Sequence, residues 1–388
     1  MKVLITDAGF KHSLAATRSL GKKGIEVIAA SERRFCMSFF SKYCIKHYIY
    51  SDPANELDFI KDILEIIEKE KCDVFLPIGY TPCKLASKYK KDLEAHVKIG
   101  IADYEYMQIA ADKNKTNEFA EKNGIPIPKT MYPKSIEDLE KVSTALQYPV
   151  VIKVPEESGL VKYANNKQEL EKLYEKICDE HNEQIKEGKF PQVQEYISGE
   201  GYGFFALFNN GEPRAIFAHK RLHEYPKTGG PSTMAKSVYD PKLNKLGIKL
   251  LKALNWHGVA MVEFKKDEID GEFKLIEVNP KFWGSLDLSI VSGVDFPYLT
   301  CKMCIDGDIE PVFNYKENVT FRWIFPDLIQ AITSNSLKEF LINFSNNDIK
   351  DDFDIHDIKP NMFQFFKALY DIFWNIKNLK YPHGKPGD

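Results

Sequence analysis

The stretch Gly258 to Lys281, GVAMVEFKKDEIDGEFKLIEVNPK, constrains this chain more than any other. Val259 to Lys265 and Glu272 to Asn279 alternate with the period of half-buried strands, which predicts an antiparallel pair. Ile269-Asp270-Gly271 fits a three-residue loop whose last position favours a left-handed glycine. That loop sets Glu268 against Glu272 and, counting back along both strands, Glu263 against Glu277. Asn279 lies two residues beyond Glu277 and shares its face. Two carboxylates and an amide oxygen then converge. Like charges directly opposite on a sheet repel, so either a cation lies between them or both stand solvated on an exposed face. Hard oxygen ligands on a rigid sheet suit Mg²⁺, held together with a nucleotide's phosphates. With no cation bound, the two glutamates are expected to be uncompensated, and replacing Glu277 with Gln then leaves the protein at least as stable.

The rest of the chain must build a scaffold for that hairpin. Residues 1–110 alternate short apolar runs (Val3-Leu4-Ile5, Val27-Ile28-Ala29, Cys44 to Tyr50, Val74-Phe75-Leu76) with helical segments such as Glu56 to Lys69, which predicts a parallel, doubly wound sheet. The first turn, Asp7-Ala8-Gly9-Phe10, is not a G-x-G-x-x-G fingerprint, so a dinucleotide site is disfavoured. Residues 111–190 begin with a charged helix from Asp112-Lys113 and contain the strand Val150-Val151-Ile152-Lys153. A lysine closing an apolar strand either snorkels to water or faces an anion. Residues 191–325 read as strand-rich, with a basic cluster His219-Lys220-Arg221 leading to the loop Thr228-Gly229-Gly230-Pro231-Ser232. Val319 to Phe325 alternates as a further strand. Residues 326–388 read as a helical extension. In it Met362, Phe365, Phe366, Leu369, Phe373 and Ile376 recur at helical spacing; the stripe fits a membrane surface or the protein's own core, and core is the preferred reading. The tail from Pro382 to Gly387 is expected to be disordered.

Composition removes several functional classes. In 388 residues the net charge is −3, so no basic surplus points to nucleic acid. No apolar run approaches the about 18 residues that suggest a membrane span. MKVLITDAGF reads as a first strand and not as a signal peptide. Seven cysteines, an odd number scattered through apolar segments, suit a reducing cytoplasm. Cys301 and Cys304 form a C-x-x-C with no second pair, and are read as helix core.

Taken in order, Asp112-Lys113, the PVVIK strand, QEYISGEGYG from Gln194, HKRLHEYPKTGGPST from His219, GVAMVEF ending at Glu263 and LIEVNPKFWGS from Leu275 resemble the ATP-grasp superfamily, specifically its carboxylate–amine ligases related to the carbamoyl-phosphate synthase large subunit. The resemblance implies a Rossmann-like pre-ATP-grasp domain over 1–110, a small lobe or lid over 111–190, and a large lobe with the metal site over 191–325, in mostly antiparallel sheets. It implies that ATP and Mg²⁺, with Mn²⁺ as an alternative ion, bind here. Lys113 and Lys153 would contact phosphates. Gln194, Glu195, Tyr196 and Ile197 would form a hinge strand whose backbone reads the adenine, and Glu200 would meet the ribose. Glu263, Glu277 and Asn279 would hold the metal. The loop Glu156 to Leu160 would fold over the triphosphate, although it carries one glycine where the family usually has more. Many relatives have arginine where this chain has Lys281, whose charge is kept without the bidentate fork.

The implied reaction is attack of a carboxylate on the γ-phosphate of ATP, then attack of an amine on the acyl phosphate, releasing ADP and phosphate. Arg221 and Lys281 are assigned to stabilising the transferring oxygens, and Lys220, Gly229 and Gly230 to the substrate. The alternatives are phosphoryl transfer to bicarbonate or another oxyanion, and an ATP-binding regulator without chemistry. No biotin-attachment Met-Lys-Met is visible, which disfavours a carboxylase. The expected partners are a small carboxylate and an amine, with a homodimer expected at the family level.

Overall fold

The computed structural model describes residues 1–155, 161–226, 229–344 and 346–379. The loop 156–160, Thr228, the side chain of Ile376 and the tail 382–387 therefore lie outside the described residues. Among these residues the strands form three sheets. The first has five parallel strands, β1 (Lys2–Ile5), β2 (Glu26–Ser31), β3 (Cys44–Ile49), β4 (Val74–Leu76) and β5 (Lys98–Ile99), ordered β3-β2-β1-β4-β5. Helices Lys11–Lys22 and Glu56–Glu70 connect its strands. This is the Rossmann-like unit that the strand–helix alternation predicts.

The second sheet is antiparallel: β6 (Thr130–Met131), β7 (Val150–Lys153), β8 (Val161–Ala164) and β9 (Gln192–Glu195), ordered β6-β9-β7-β8. The third joins β10 (Gly199–Asn209), β11 (Glu212–Glu224), β12 (Ser232–Ser237), β13 (Gly258–Asp267), β14 (Phe273–Asn279), β15 (Thr320–Arg322) and β16 (Ile349–Asp351) in the order β14-β13-β10-β11-β12-β15-β16. All its pairs are antiparallel except β15 with β16.

Apolar packing divides the molecule differently from the sheets. Two core clusters each combine residues of the first sheet with residues of the third, for instance Leu4 and Phe75 with Phe204 and Val262, and Val3 and Ile5 with Phe205 and Phe217. The four-stranded sheet keeps a separate cluster of its own around Leu139, Ile152, Leu170, Tyr174 and Val193. Gly258 marks the seam between the first and third sheets: at φ +89° a side chain there would be strained, and its Cβ would overlap the carbonyl of Gly100.

Three readings of the C-terminal region need correction. Val319 to Phe325 is strand only at β15, because the helix Ile324–Thr333 begins directly after Trp323. Residues 326–388 are not wholly helical: β16 adds an edge strand to the large sheet. Met362, Phe365, Phe366 and Phe373 do not enter the core; all are exposed, while Asn361, Gln364 and Ala368 of the same helix, Ile358–Leu379, are buried. Amphipathic spacing says that a helix has two faces, and here the polar amides Asn361 and Gln364 are turned inward by hydrogen bonds to Arg18 and Asp352.

Candidate functional site

The hairpin β13–β14 places Glu263 opposite Glu277 and Met261 opposite Asn279. The route to that register differs from the one its turn suggests. Asp267, not Glu268, faces Glu272, and Gly271 N donates to Asp267 O at 2.9 Å, so the loop has four residues, Glu268 to Gly271. A bulge at Ile276 then shifts the register by one between Glu263/Glu277 and Phe264/Leu275. The bulge also reverses the pleat. Phe273 and Leu275 point into the core, Val278 does so beyond the bulge, and Glu277 and Asn279 come to share the opposite face with Glu263.

The Asn279 amide nitrogen donates to Glu277 Oε1 at 2.8 Å and to Glu263 Oε1 at 3.2 Å. Turning that amide presents its oxygen instead, giving three hard oxygen ligands that fit a divalent cation completed by phosphates. Among the described residues no group of three or more His, Cys, Asp or Glu forms a metal site by itself, in keeping with a donor set of two carboxylates and an amide.

A cleft of about 570 Å³ opens above these residues, and Lys113, Lys153, Gln194, Glu195, Tyr196, Ile197, Arg221, Gly229, Gly230 and Lys281 also line it. Lys113 starts the helix Lys113–Lys122, whose first turn is capped by Asp112 accepting from Asn114 N and Lys115 N. Lys153 ends β7, is 6% exposed, and donates to the Gln194 amide oxygen at 2.7 Å. Its hydrogen-bond partner is neutral, and burial pulls its pKa down to about 8 against the attraction of Glu277. A cation held this way has room for an anionic ligand.

The facing carboxylates are compensated, contrary to the expectation from the hairpin alone. Arg221 on β11 reaches Glu263 through Nη2, and through Nη1 bonds Glu224 Oε1 at 3.2 Å and Gly230 O at 3.3 Å. Burial raises Glu263, with Arg221 opposing and Glu277 adding to the shift. Burial would also raise Glu277, but Lys113, the Asn279 hydrogen bond, Lys153 and Arg221 outweigh it and hold that carboxylate below its usual range. Arg221 is raised because Glu263 and Glu224 overcome the effect of its burial. The pair thus divides: Glu277 is the ionised member and Glu263 the one nearer to protonation.

Two assigned residues fall outside the cleft. Lys220 precedes Arg221 on a strand, so it points to the opposite face; there it pairs with Glu200 at 2.5 Å, and Glu200 itself is exposed. Neither lines the cleft. Gln194 lies inside the sheet, paired with both β7 and β6, so its backbone is committed to the ladder, whereas Glu195 gives its N–H to Lys129 O at 2.9 Å. Gln194 contributes its side chain instead, to Lys153 and to Thr130 Oγ1 at 2.8 Å. Gly230 is required by its own loop, since a Cβ would overlap the Tyr225 carbonyl.

Sequence reasoning missed several cleft residues. Lys265 shares the face of Glu263, donates to Ile197 O at 3.0 Å and lies 5.0 Å over the Tyr196 ring. Period two from Glu263 would have found it. Glu224 could not be found that way, because a bulge at Leu222 reverses the phase of β11. Tyr163 meets Tyr196 edge-on at 5.9 Å, and both rings line the cleft.

Comparison with known proteins places this geometry. A family model described as "ATP-grasp in the biosynthetic pathway with Ter operon" matches residues 193–325. The carbamoyl phosphate synthase large chain of Pyrococcus furiosus is 23% identical over 332 residues, covering 81% of this chain and 30% of that one, so the chain spans under a third of this relative's length. Among solved structures, the biotin carboxylase domain of Hydrogenobacter thermophilus 2-oxoglutarate carboxylase, in complex with MgADP, ADP and bicarbonate, superposes with a TM-score of 0.66 at 17% identity, over 82% of this chain and 73% of that one. The L-amino acid ligase of Bacillus licheniformis superposes with a TM-score of 0.61 at 16% identity, over 80% and 75%. The chain carries an ATP-grasp domain and is homologous to the large chain of carbamoyl phosphate synthase.

Proposed function

We propose that this protein is an ATP-dependent ligase that activates a carboxylate as an acyl phosphate and joins it to an amine, releasing ADP and phosphate. The observation that carries the reading is the meeting of Glu263, Glu277 and Asn279 with Lys113, Lys153, Arg221 and Lys281 in one cleft. When bound, Mg²⁺ would neutralise charge on the β- and γ-phosphate oxygens. Glu263, Glu277 and Asn279 would hold it. Lys153 and Lys113 would bind phosphate oxygens, and Lys153 would exchange its neutral partner for a charged one. Tyr196 and Ile197, just beyond the end of β9, would bound the base, with Tyr163 beside Tyr196. Arg221, braced by Glu224 and the Gly230 carbonyl, would orient the carboxylate for in-line attack, and Lys281 would stabilise the transferring oxygens.

The test is ADP release with Mg²⁺ and ATP across a panel of carboxylates and amines. Turnover that requires one member of each class supports the ligase. A second reading, phosphoryl transfer to bicarbonate, is favoured by the bicarbonate in the 2-oxoglutarate carboxylase structure; it predicts ADP release that depends on bicarbonate with no other acid present. Stoichiometric AMP and pyrophosphate would contradict both.

A further inference from the structure

The helix Ile358–Leu379 contributes none of the described cleft-lining residues, yet it carries a run of exposed aromatic side chains. Met362, Phe366, Tyr370 and Phe373 are 51%, 61%, 57% and 72% exposed. Their spacing puts them on one face, opposite the buried Asn361, Gln364 and Ala368. An unbroken apolar stripe of this kind on a soluble domain marks an interaction surface. A second element packs against the same helix. Phe363 stacks on Phe40 at 5.7 Å, and the loop leading to Phe40 presents Arg33, Arg34 and Phe35, the last 75% exposed.

Charge selects the occupant. Residues 358–388 hold five lysines and two aspartates in a chain whose net charge is −3. The acidic residues just before the helix are spent internally: Asp357 on Arg18 at 2.9 Å, Asp354 on Lys22 at 2.7 Å and Asp351 on Arg322 at 3.8 Å. Lys359 and Lys367 are exposed beside the stripe, Lys367 paired with Asp371 at 2.6 Å, and Arg33 and Arg34 flank Phe35, with Arg33 paired to Glu32 at 3.4 Å. Pairing this face with a second copy of itself would bring two sets of these cations into one interface. A surface of phosphate headgroups over an apolar interior complements both the rings and the charges.

We propose that this face docks on an anionic lipid surface, with Phe35, Phe366, Tyr370 and Phe373 at the headgroup–acyl boundary and Arg33, Arg34, Lys359 and Lys367 against phosphates. The attachment is peripheral, since no described helix is long and apolar enough to cross a membrane.

Flotation of the full chain with vesicles tests it. Vesicles of phosphatidylcholine containing about 30 mol% phosphatidylglycerol should bind the protein, and raising salt to about 0.5 M should weaken that binding strongly. Phosphatidylcholine alone should bind little. Combining Phe366→Ser with Phe373→Ser should lower partitioning by roughly tenfold or more. Arg33→Glu with Arg34→Glu, in an exposed loop, should give a similar loss if the ring variants fail to fold; far-UV circular dichroism and nucleotide binding serve as fold controls. Absence of binding to the anionic vesicles would overturn the proposal, as would equal binding to both vesicle types or folded variants that bind like wild type. A dimer that the serine variant splits into monomers would assign the face to a second copy instead.

Discussion

Lys153 is buried against a neutral amide, and its low pKa makes its role measurable. In the free protein the charged form is full well below pH 8, half populated at about that value and lost as pH rises through it. A triphosphate favours the charged form, so binding above pH 8 must take up a proton. Affinity should be flat below pH 8 and fall above it, by up to about tenfold per unit. Lys153→Met should remove that dependence and weaken ATP by about 1.5–3 kcal/mol, the range for hydrogen bonds to charged groups. Titration calorimetry across pH 7–9 on the folded variant checks both, and unchanged affinity would return Lys153 to a purely structural role. Glu277 leads to the opposite stability statement. Its pKa is lowered in the fold, so its ionised form contributes stability that is present above its ordinary range near 4.5 and lost as pH falls. Glu277→Gln should therefore destabilise the ligand-free protein at neutral pH, by about 1–3 kcal/mol, and reduce turnover by orders of magnitude. Thermal melts and ADP release on the same samples decide it; a variant as stable as wild type would mean that Lys113, Lys153 and Arg221 do not compensate the carboxylate. The hairpin sequence shows the repulsion between Glu263 and Glu277, but the cations that relieve it come from positions 42 to 164 residues earlier in the chain, beyond the reach of strand periodicity.

At the scale of elements, the site depends on two irregularities. Ile276 bulges out of β14 and Leu222 out of β11, and each reverses the pleat so that a carboxylate, Glu277 or Glu224, turns into the cleft. Deleting Ile276 should restore regular alternation after Leu275, which keeps Glu277 across from Glu263 and on the cleft face. The outcome expected is Mg²⁺-nucleotide binding retained in calorimetry. A deletion protein that no longer binds Mg²⁺-nucleotide would show that the irregularity itself is needed, and not only the phase that it sets. The same irregularities explain what the sequence left unread. Glu263 opposite Glu277 was legible because a loop one residue longer and a bulge of one residue cancel. The Arg221–Lys220 alternation is also legible, and period two alone excludes Lys220 from the face of Arg221. Glu200 is excluded for the same reason: it shares a face with Tyr202, on the side away from Gly201. Both placements follow from the pleat, which the motif does not carry. Glu224 was hidden because a bulge leaves no mark on hydrophobic spacing.

Across the whole molecule, the parallel sheet and the seven-stranded sheet share their cores, whereas the four-stranded sheet that carries Lys153 packs on a core of its own. The cleft is therefore walled by two bodies, with Lys153 on one and the carboxylates on the other. The alternation of strands and helices made the first sheet legible. The contribution of residues 326–388 was not, because its anchor is one buried cation in the first helix. Arg18 donates to Asp357 Oδ2 and O, Asp352 O and Asn361 Oδ1 at 2.9–3.0 Å. Arg18→Met leaves Asp357 buried without its partner and should cost about 3–5 kcal/mol in urea unfolding; a loss under about 1 kcal/mol would mean that the C-terminal segment is held by apolar packing instead. The central claim, that this cleft moves the γ-phosphoryl group of ATP to a carboxylate, is tested most directly by trapping the activated acid. With Mg²⁺, ATP, a panel of carboxylates and hydroxylamine as the amine, the account predicts hydroxamate and ADP in equal amounts, both abolished by Glu277→Gln. Hydroxamate formed with AMP and pyrophosphate, or formed equally well by the Glu277→Gln protein, would contradict it.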